Sequence, residues 1–341
     1  MVPLTISAQD GLISQYDYFD KKIASINLTT YYILKNGEFA YNKSYSNGYP
    51  YGAIKRLDSF EEGALSSLYI CFCVSNIDSN YLCYYFDSNK WNYEVKIISG
   101  EGARNHGLLN LTPSDFFNIR IFKPHTLEEQ CKISNFLELI YAKEKIINRK
   151  IDILKKYKEG IMIKCYELAK NQVISLSKLV KNNIILLGRG EIIPKQNGTF
   201  PVYSSSAANN GLFCFRNKYS FDEELITWSI DGGGKPFLRN KHKFSITNVC
   251  GYAKILDLNI FSYSWLYINF WNSWRKIKFD YTTKAHPSVI EKLYKIKSLD
   301  IESQMKIEKI LTYINNKIDY LIKELNDVTL TKESLLRSLF F

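Results

Sequence analysis

Nowhere in the 341 residues do about 18 consecutive apolar residues occur, the least that a bilayer-crossing helix needs. The opening Met1-Val2-Pro3-Leu4-Thr5-Ile6 lacks a basic segment followed by an apolar stretch, so no signal peptide is evident. Both absences predict a soluble cytoplasmic protein with no membrane partner. CxxC pairs are missing as well. The seven cysteines (Cys71, Cys73, Cys83, Cys131, Cys165, Cys214, Cys250) are odd in number and scattered, with no His at metal-ligand spacing. That pattern predicts reduced thiols and no metal. Cys71 and Cys73 lie in the apolar run Leu68-Tyr69-Ile70-Cys71-Phe72-Cys73-Val74, which reads as a buried strand.

Enzyme signatures are equally scarce. There is no Asn-Pro-Pro-aromatic motif of an adenine methyltransferase and no GxGxxG after a strand; Glu94-Val95-Lys96 is only the tail of a nuclease-like pattern, without a partnered Asp. Asp231-Gly232-Gly233-Gly234-Lys235-Pro236 is not a Walker loop, because Pro236 stands where Ser or Thr should follow the lysine. It reads instead as a flexible loop whose Lys235 could meet a phosphate backbone. No catalytic residue and no cofactor is assigned to the chain.

What is present is aromatic and basic. Hydrophobic residues make up 46% and aromatics 15%, a composition of folded domains rather than disorder. The length exceeds what one core usually serves, so two domains are expected. A formal charge of +11 suits a polyanionic partner, since Lys and Arg that neutralise phosphates release condensed counterions. Lys, Ile, Asn and Tyr are abundant together, as in proteins of AT-rich genomes, so charge supports nucleic-acid binding without establishing it.

The chain repeats itself. A shift of 174 residues carries Pro113-Ser114 onto Pro287-Ser288, and Glu128, Gln130, Lys132, Ile133, Leu137, Ile140 and Lys143 onto Glu302, Gln304, Lys306, Ile307, Leu311, Ile314 and Lys317. Apolar spacing repeats in phase: Ile133, Leu137, Ile140, then Glu144, Ile147, Ile151, Leu154 in the first copy. The second reads Ile307, Leu311, Ile314, Ile318, Leu321, Leu325, Val328. A 3.5-residue period with no Pro from Thr126 to Lys170 or from Asp300 to Phe341 predicts supercoiled helices, each about 50–60 Å long at roughly 1.5 Å per residue. The simplest pairing runs the second helix back along the first, giving an antiparallel coiled coil with pseudo-twofold symmetry. The alternative is that each helix packs on its own domain as an ordinary amphipathic element.

Residues 1–125 and 171–298 have short apolar runs broken by turn signals such as Asn36-Gly37, Asn47-Gly48 and Asn197-Gly198. They read as mixed, sheet-rich domains, and the fold class as α+β: a head at 1–125, a helix at 126–170, a second head at 171–298 and a second helix at 299–341. The heads correspond weakly, Val2-Pro3-Leu4-Thr5-Ile6-Ser7 with Phe200-Pro201-Val202-Tyr203-Ser204-Ser205, and Phe39-Ala40-Tyr41 with Ile226-Thr227-Trp228.

The runs Gly37 to Ser44, Tyr49 to Leu57, Gly102 to Asn110 and Phe200 to Ser206 with Asn209-Asn210-Gly211 resemble the target recognition domains of type I restriction-modification specificity subunits. Leu127-Glu128-Glu129-Gln130 and Ile301-Glu302-Ser303-Gln304 resemble the starts of that family's conserved helices. The resemblance implies a non-catalytic subunit that reads a bipartite, asymmetric site on double-stranded DNA, one half per head. It also implies that the helices dock two methyltransferase subunits, which carry S-adenosylmethionine, and that restriction (translocase/nuclease) subunits join through them. One departure stands out: if Pro3 matches Pro201, the first head has no counterpart of Gln172 through Thr199. Either the start lies upstream, the gene is truncated or rearranged, or another chain completes the fold.

Side chains that suit bases or phosphates fall in the expected loops. In the first head they are Lys43, Ser44, Tyr45, Asn47, Lys55, Arg56, Arg104, Asn105 and His106; in the second, Ser204, Ser205, Asn209, Asn210, Lys235, Arg239, Asn240, Lys284 and His286. Asn47 and Asn210 precede glycines and could serve turns alone. Two other classes stay open at this point: a coiled-coil scaffold whose heads read no DNA, and a stand-alone nucleic-acid enzyme.

Overall fold

The computed structural model describes residues 1–18, 30–99, 107, 109–169, 172–206, 208–279 and 284–340. They divide into two compact units, Met1–Asn148 with Lys323–Phe341, and Arg149–Ile322. Each unit thus takes one head and a half of each long helix, a grouping that treating the helices as separate segments does not draw.

In the first unit β1 (Leu4–Ser7) and β2 (Gly11–Ser14) form a hairpin, followed by α1 (Gln15–Tyr18). Strand β3 (Tyr32–Lys35) turns at Asn36-Gly37 into β4 (Phe39–Asn42); Gly37 has φ +84°, which a side chain would resist. Next come β5 (Ala53–Arg56), β6 (Glu62–Leu65) and β7 (Ile70–Phe72). β4 pairs antiparallel with β5 on one side and β7 on the other, while β3 pairs with β6. Helices α2 (Ser79–Asp87), α3 (Asn92–Ser99) and α4 (Pro113–Phe117) cover the sheet. Asp78 caps α2 by accepting from the Tyr81 amide at 2.6 Å. The core is aromatic: Phe39 and Phe72 stack 5.4 Å apart, and Trp91 meets Tyr41 edge-on. Helix α5 (Leu127–Leu168) follows.

The second unit opens with β8 (Val173–Ser175), α6 (Leu176–Lys181) and β9 (Ile185–Arg189). Then come β10 (Phe200–Tyr203), β11 (Leu212–Arg216), β12 (Phe221–Ser229), β13 (Pro236–Ile246) and β14 (Cys250–Ile255). They make one six-stranded sheet in the order β11-β10-β13-β12-β14-β9, in which only β10 and β13 are parallel. Helix α7 (Tyr263–Lys276) packs on β12 and β13 through Trp265, Leu266 and Phe270; α8 (Pro287–Leu293), β15 (Lys295–Lys297) and α9 (Ile301–Leu339) complete the chain. The Asp231–Lys235 glycine run is the β12–β13 turn. Gly233 and Gly234 have positive φ, and a Cβ on Gly234 would sit 2.8 Å from Phe279. Its glycines therefore answer to turn geometry.

From β1 and β10 onward the strands of the two heads correspond up to β7 and β14. β1 and β10 each lead an antiparallel hairpin and each run parallel to a later strand, through Pro3 beside Ala64 and Val202 beside Ser245. Phe39 and Ile226 each sit in a strand paired on both sides. What the long β12 and β13 do continuously, β3 with β4 and β5 with β6 do in two pieces.

Both long helices are antiparallel neighbours within each unit. In the first, Lys143 meets Glu324 at 3.2 Å and Glu144 meets Lys332 at 2.5 Å, while Leu137 shares a cluster with Leu336 and Phe340. In the second, Met162 clusters with Leu311 and Lys158 faces Asp319. Each helix also packs on its head, Leu137 against Tyr85 and Phe116, Leu311 against Trp265, so the two arrangements open to the sequence coexist. Every seam position is buried (Leu137, Ile147, Ile151, Leu311, Ile314, Ile318, Leu321, Val328) or half-buried (Ile133, Ile140, Leu154, Ile307, Leu325).

The repeat reaches single hydrogen bonds. Gln130 and Gln304, 174 residues apart and both 0% exposed, do the same work in the two units. Gln130 accepts from the Asp78 amide at 2.9 Å and donates to the Pro124 carbonyl at 2.9 Å. Gln304 accepts from the Ser262 amide at 2.7 Å and donates to the carbonyls of Ile260 and Leu299 at 2.8 and 2.7 Å. Each glutamine thereby ties a long helix to the N-cap of the main helix of its head.

Candidate nucleic-acid interface

In the second head the candidate residues gather along β13 and the loop Ser204–Gly211. Arg239 lies on β13 with its guanidinium 3.7 Å from the Tyr203 ring centre and 4.8 Å from that of Phe237. Its Nε donates to Thr227 Oγ1 at 3.0 Å, and Nη1 has no partner. At 3% exposure, burial lowers its pKa to about 10. Stacking between two rings fixes the side chain under the loop, and a Cβ on Gly211 would come within 3.2 Å of its Nη2. Asn209 and Asn210 take left-handed backbone at φ 46° and 54°, so their side chains project from a turn that Asn tolerates. Ser204 donates its amide to the Gly211 carbonyl and accepts from Thr247 Oγ1 at 2.9 Å. Ser205 is half-buried beside them, and Asn240 is exposed on the strand.

The remaining candidates lie at the β12–β13 turn and before α8. Lys284 pairs with Asp231 at 2.8 Å, and His286 is the N-cap of α8, its Nδ1 2.9 Å from Ser288 Oγ. Lys235 is exposed at the turn with its ammonium 5.9 Å from the Phe237 ring.

In the first head Lys55 binds Asp87 at 2.9 Å and Arg56 binds Asp58 at 2.7 Å, with further bonds to Ser79 and Asn80. Burial opposes the Lys55 charge, but Asp87, joined by Tyr49 and Cys83, raises its pKa overall. Lys43 donates to the Leu111 carbonyl at 3.0 Å. The Ser44 amide donates to Asn42, and Tyr45 and Asn47 are exposed in the loop after β4. Arg104, Asn105 and His106 lie outside the described residues.

Sequence reasoning passed over Lys241, His242 and Lys243. Lys243 stands 5.0 Å from the Tyr219 ring centre, and His242 stacks on Phe244 at 4.6 Å while its Nε2 lies 3.1 Å from Tyr203 Oη. The signal was a polar, basic run, Arg239-Asn240-Lys241-His242-Lys243, inside what is one strand. Basic groups interleaved with aromatics suit phosphates and bases together.

A solved specificity subunit of the type I restriction-modification system of M. genitalium superposes with TM-score 0.57 at 18% identity, covering 90% of this chain and 84% of that one. The fold is that of a type I specificity subunit. A second solved structure, from a study of complex assembly and conformational transition in a type I restriction-modification system, agrees at TM-score 0.53 and 13% identity over 90% of this chain and 83% of that one. A Mycoplasma pneumoniae protein named as a type I specificity subunit is 34% identical over 145 residues, which is 40% of this chain. The chain spans 39% of that relative's length. No protein-family model matches the chain.

Proposed function

We propose that this chain is the non-catalytic DNA-specificity subunit of a type I restriction-modification complex. It reads a bipartite, asymmetric site, one half with each head, and its paired helices dock two methyltransferase subunits and, through them, the restriction subunits. The observation that carries the reading is the likeness to solved specificity subunits over 90% of the chain. Methyl transfer from S-adenosylmethionine belongs, on this reading, to the partner, and this chain supplies positioning. In the second head, Asn209, Asn210 and Asn240 are the residues offered to bases, Arg239 supports the loop that carries the first two, and Lys235, Lys241 and Lys243 lie on phosphates. Localisation is cytoplasmic on the same reading; no described helix is long and apolar enough to cross a membrane.

The test is long-read mapping of methylated adenines in cells carrying this chain and its methyltransferase. Exchanging residues 171–298 for another head should change one half of the methylated sequence and leave the other intact. A change in both halves, or methylation that does not depend on this chain, would refute the reading.

A further inference from the structure

The two heads differ at one edge. In the second, β14 pairs on its outer side with β9, and β15 pairs with β8. Leu176, Leu179 and Ile185 from the β8-α6-β9 segment enter the core there, and Ile296 on β15 is 0% exposed. In the first head, no described residue pairs with the outer side of β7, the counterpart of β14. Residues 121–123, which the repeat places opposite β15, form no strand, and Phe122, opposite Ile296, is 53% exposed.

Beside that edge lies a cavity of about 260 Å³ lined by Phe72, Val74, Ile77, Trp91, Phe117 and Ile121. Its walls are apolar. Cys73, expected in a buried strand, is exposed at its rim because nothing described covers the far side of β7. Among the described residues the edge is open and the apolar cavity unfilled, which makes a template for strand addition.

We propose that this edge and cavity dock a strand–helix–strand segment from outside residues 1–341, with the pattern of residues 172–190. The internal repeat states the occupant's chemistry: a short strand along residues 121–123, a Ser-capped helix with apolar side chains three apart as at Leu176 and Leu179, and a strand antiparallel to β7. Edge-to-edge pairing of two copies through β7 would leave the cavity and Phe122 uncovered. A second copy cannot lend its own 172–190 either, because Leu176, Leu179 and Ile185 are buried in its second head. The proposal is independent of what the heads read.

A synthetic peptide of residues 172–190, added to the full chain, tests it. Saturable binding by fluorescence anisotropy is expected, with slowed hydrogen exchange in the Phe72–Ser75 stretch. Leu176→Asp in the peptide, or Phe122→Asp in the chain, should weaken binding at least tenfold; Phe122 is exposed, so the variant chain keeps its fold. Three results would overturn the proposal: no binding at millimolar peptide, binding that both substitutions leave unchanged, or Phe72–Ser75 protection that appears without peptide as the chain self-associates.

Discussion

Replacing Gln304 by Ala should cost the second unit more than any single apolar truncation on the helix surface, and the amount follows from the geometry. The side chain is fully buried and completes three hydrogen bonds, to the Ser262 amide and to the carbonyls of Ile260 and Leu299. Alanine leaves three groups without this partner, the buried Ser262 amide and the part-buried carbonyls of Ile260 and Leu299, each worth about 1–3 kcal/mol, and water reaching the carbonyls brings the sum toward about 3–5 kcal/mol. Gln130→Ala strands only two groups, Asp78 N and Pro124 O, so the first unit should lose about 2–3 kcal/mol. Gln304→Glu sharpens the test. An ionised carboxylate there faces two carbonyls, so its folded pKa rises above the usual carboxylate value of about 4.3; stability is greatest below that value and falls as pH climbs through the raised one. Urea unfolding followed by circular dichroism gives the cost, and hydrogen exchange at Ser262 localises it. A Gln304→Ala loss under about 1 kcal/mol, or a Gln304→Glu variant whose stability does not depend on pH, would refute the idea that this glutamine ties helix to head.

The Glu144–Lys332 pair, with side chains about one-fifth exposed, should be worth about 1–2 kcal/mol, between surface and buried pairs; Lys332→Ala read in a double-mutant cycle with Glu144→Gln should return that coupling, and a value near zero would make the pair incidental. Burial, and then Glu308, raises the Glu224 pKa to about 7, so stability should fall as pH rises from about 4.5 toward 7 and level off above it; Glu224→Gln should flatten that slope in urea titrations at pH 5 and 8. Arg239→Lys, which gives up the planar stack on Tyr203, should weaken recognition of one half-site while the other holds, as scored by methylation mapping. Inserting one heptad into each of α5 and α9 adds about 10.5 Å and should lengthen the spacer between half-sites by about three base pairs. A spacer of the original length would remove the ruler from the proposed function.

The helices were legible because their signal is additive and one-dimensional. A 3.5-residue stripe without proline fixes which face is covered, and the phase match across 174 residues tied Leu137 to Leu311 and Gln130 to Gln304 before any contact was known. The hydrogen-bonding role of the glutamines was not legible, since their partners at Asp78 and Ser262 lie 52 and 42 residues upstream in sequence. The heads were harder for the same reason. Phe39 pairs with Arg56 and Phe72, and Ile226 with Leu238 and Ala253, and no local pattern names such partners. Loop chemistry was least legible of all. Lys55, Arg56 and Lys284 have the side chains that DNA demands, yet each stands within reach of a carboxylate that neutralises it, whereas Arg239, shielded by rings from Tyr203 and Phe237, keeps an unpartnered Nη1. Composition alone treats these four cations alike. Their neighbours separate them: a paired cation must break a bond before it meets a phosphate, while the stacked one already has its orientation fixed, and on this ground Arg239 is the candidate whose loss should be felt at a single half-site.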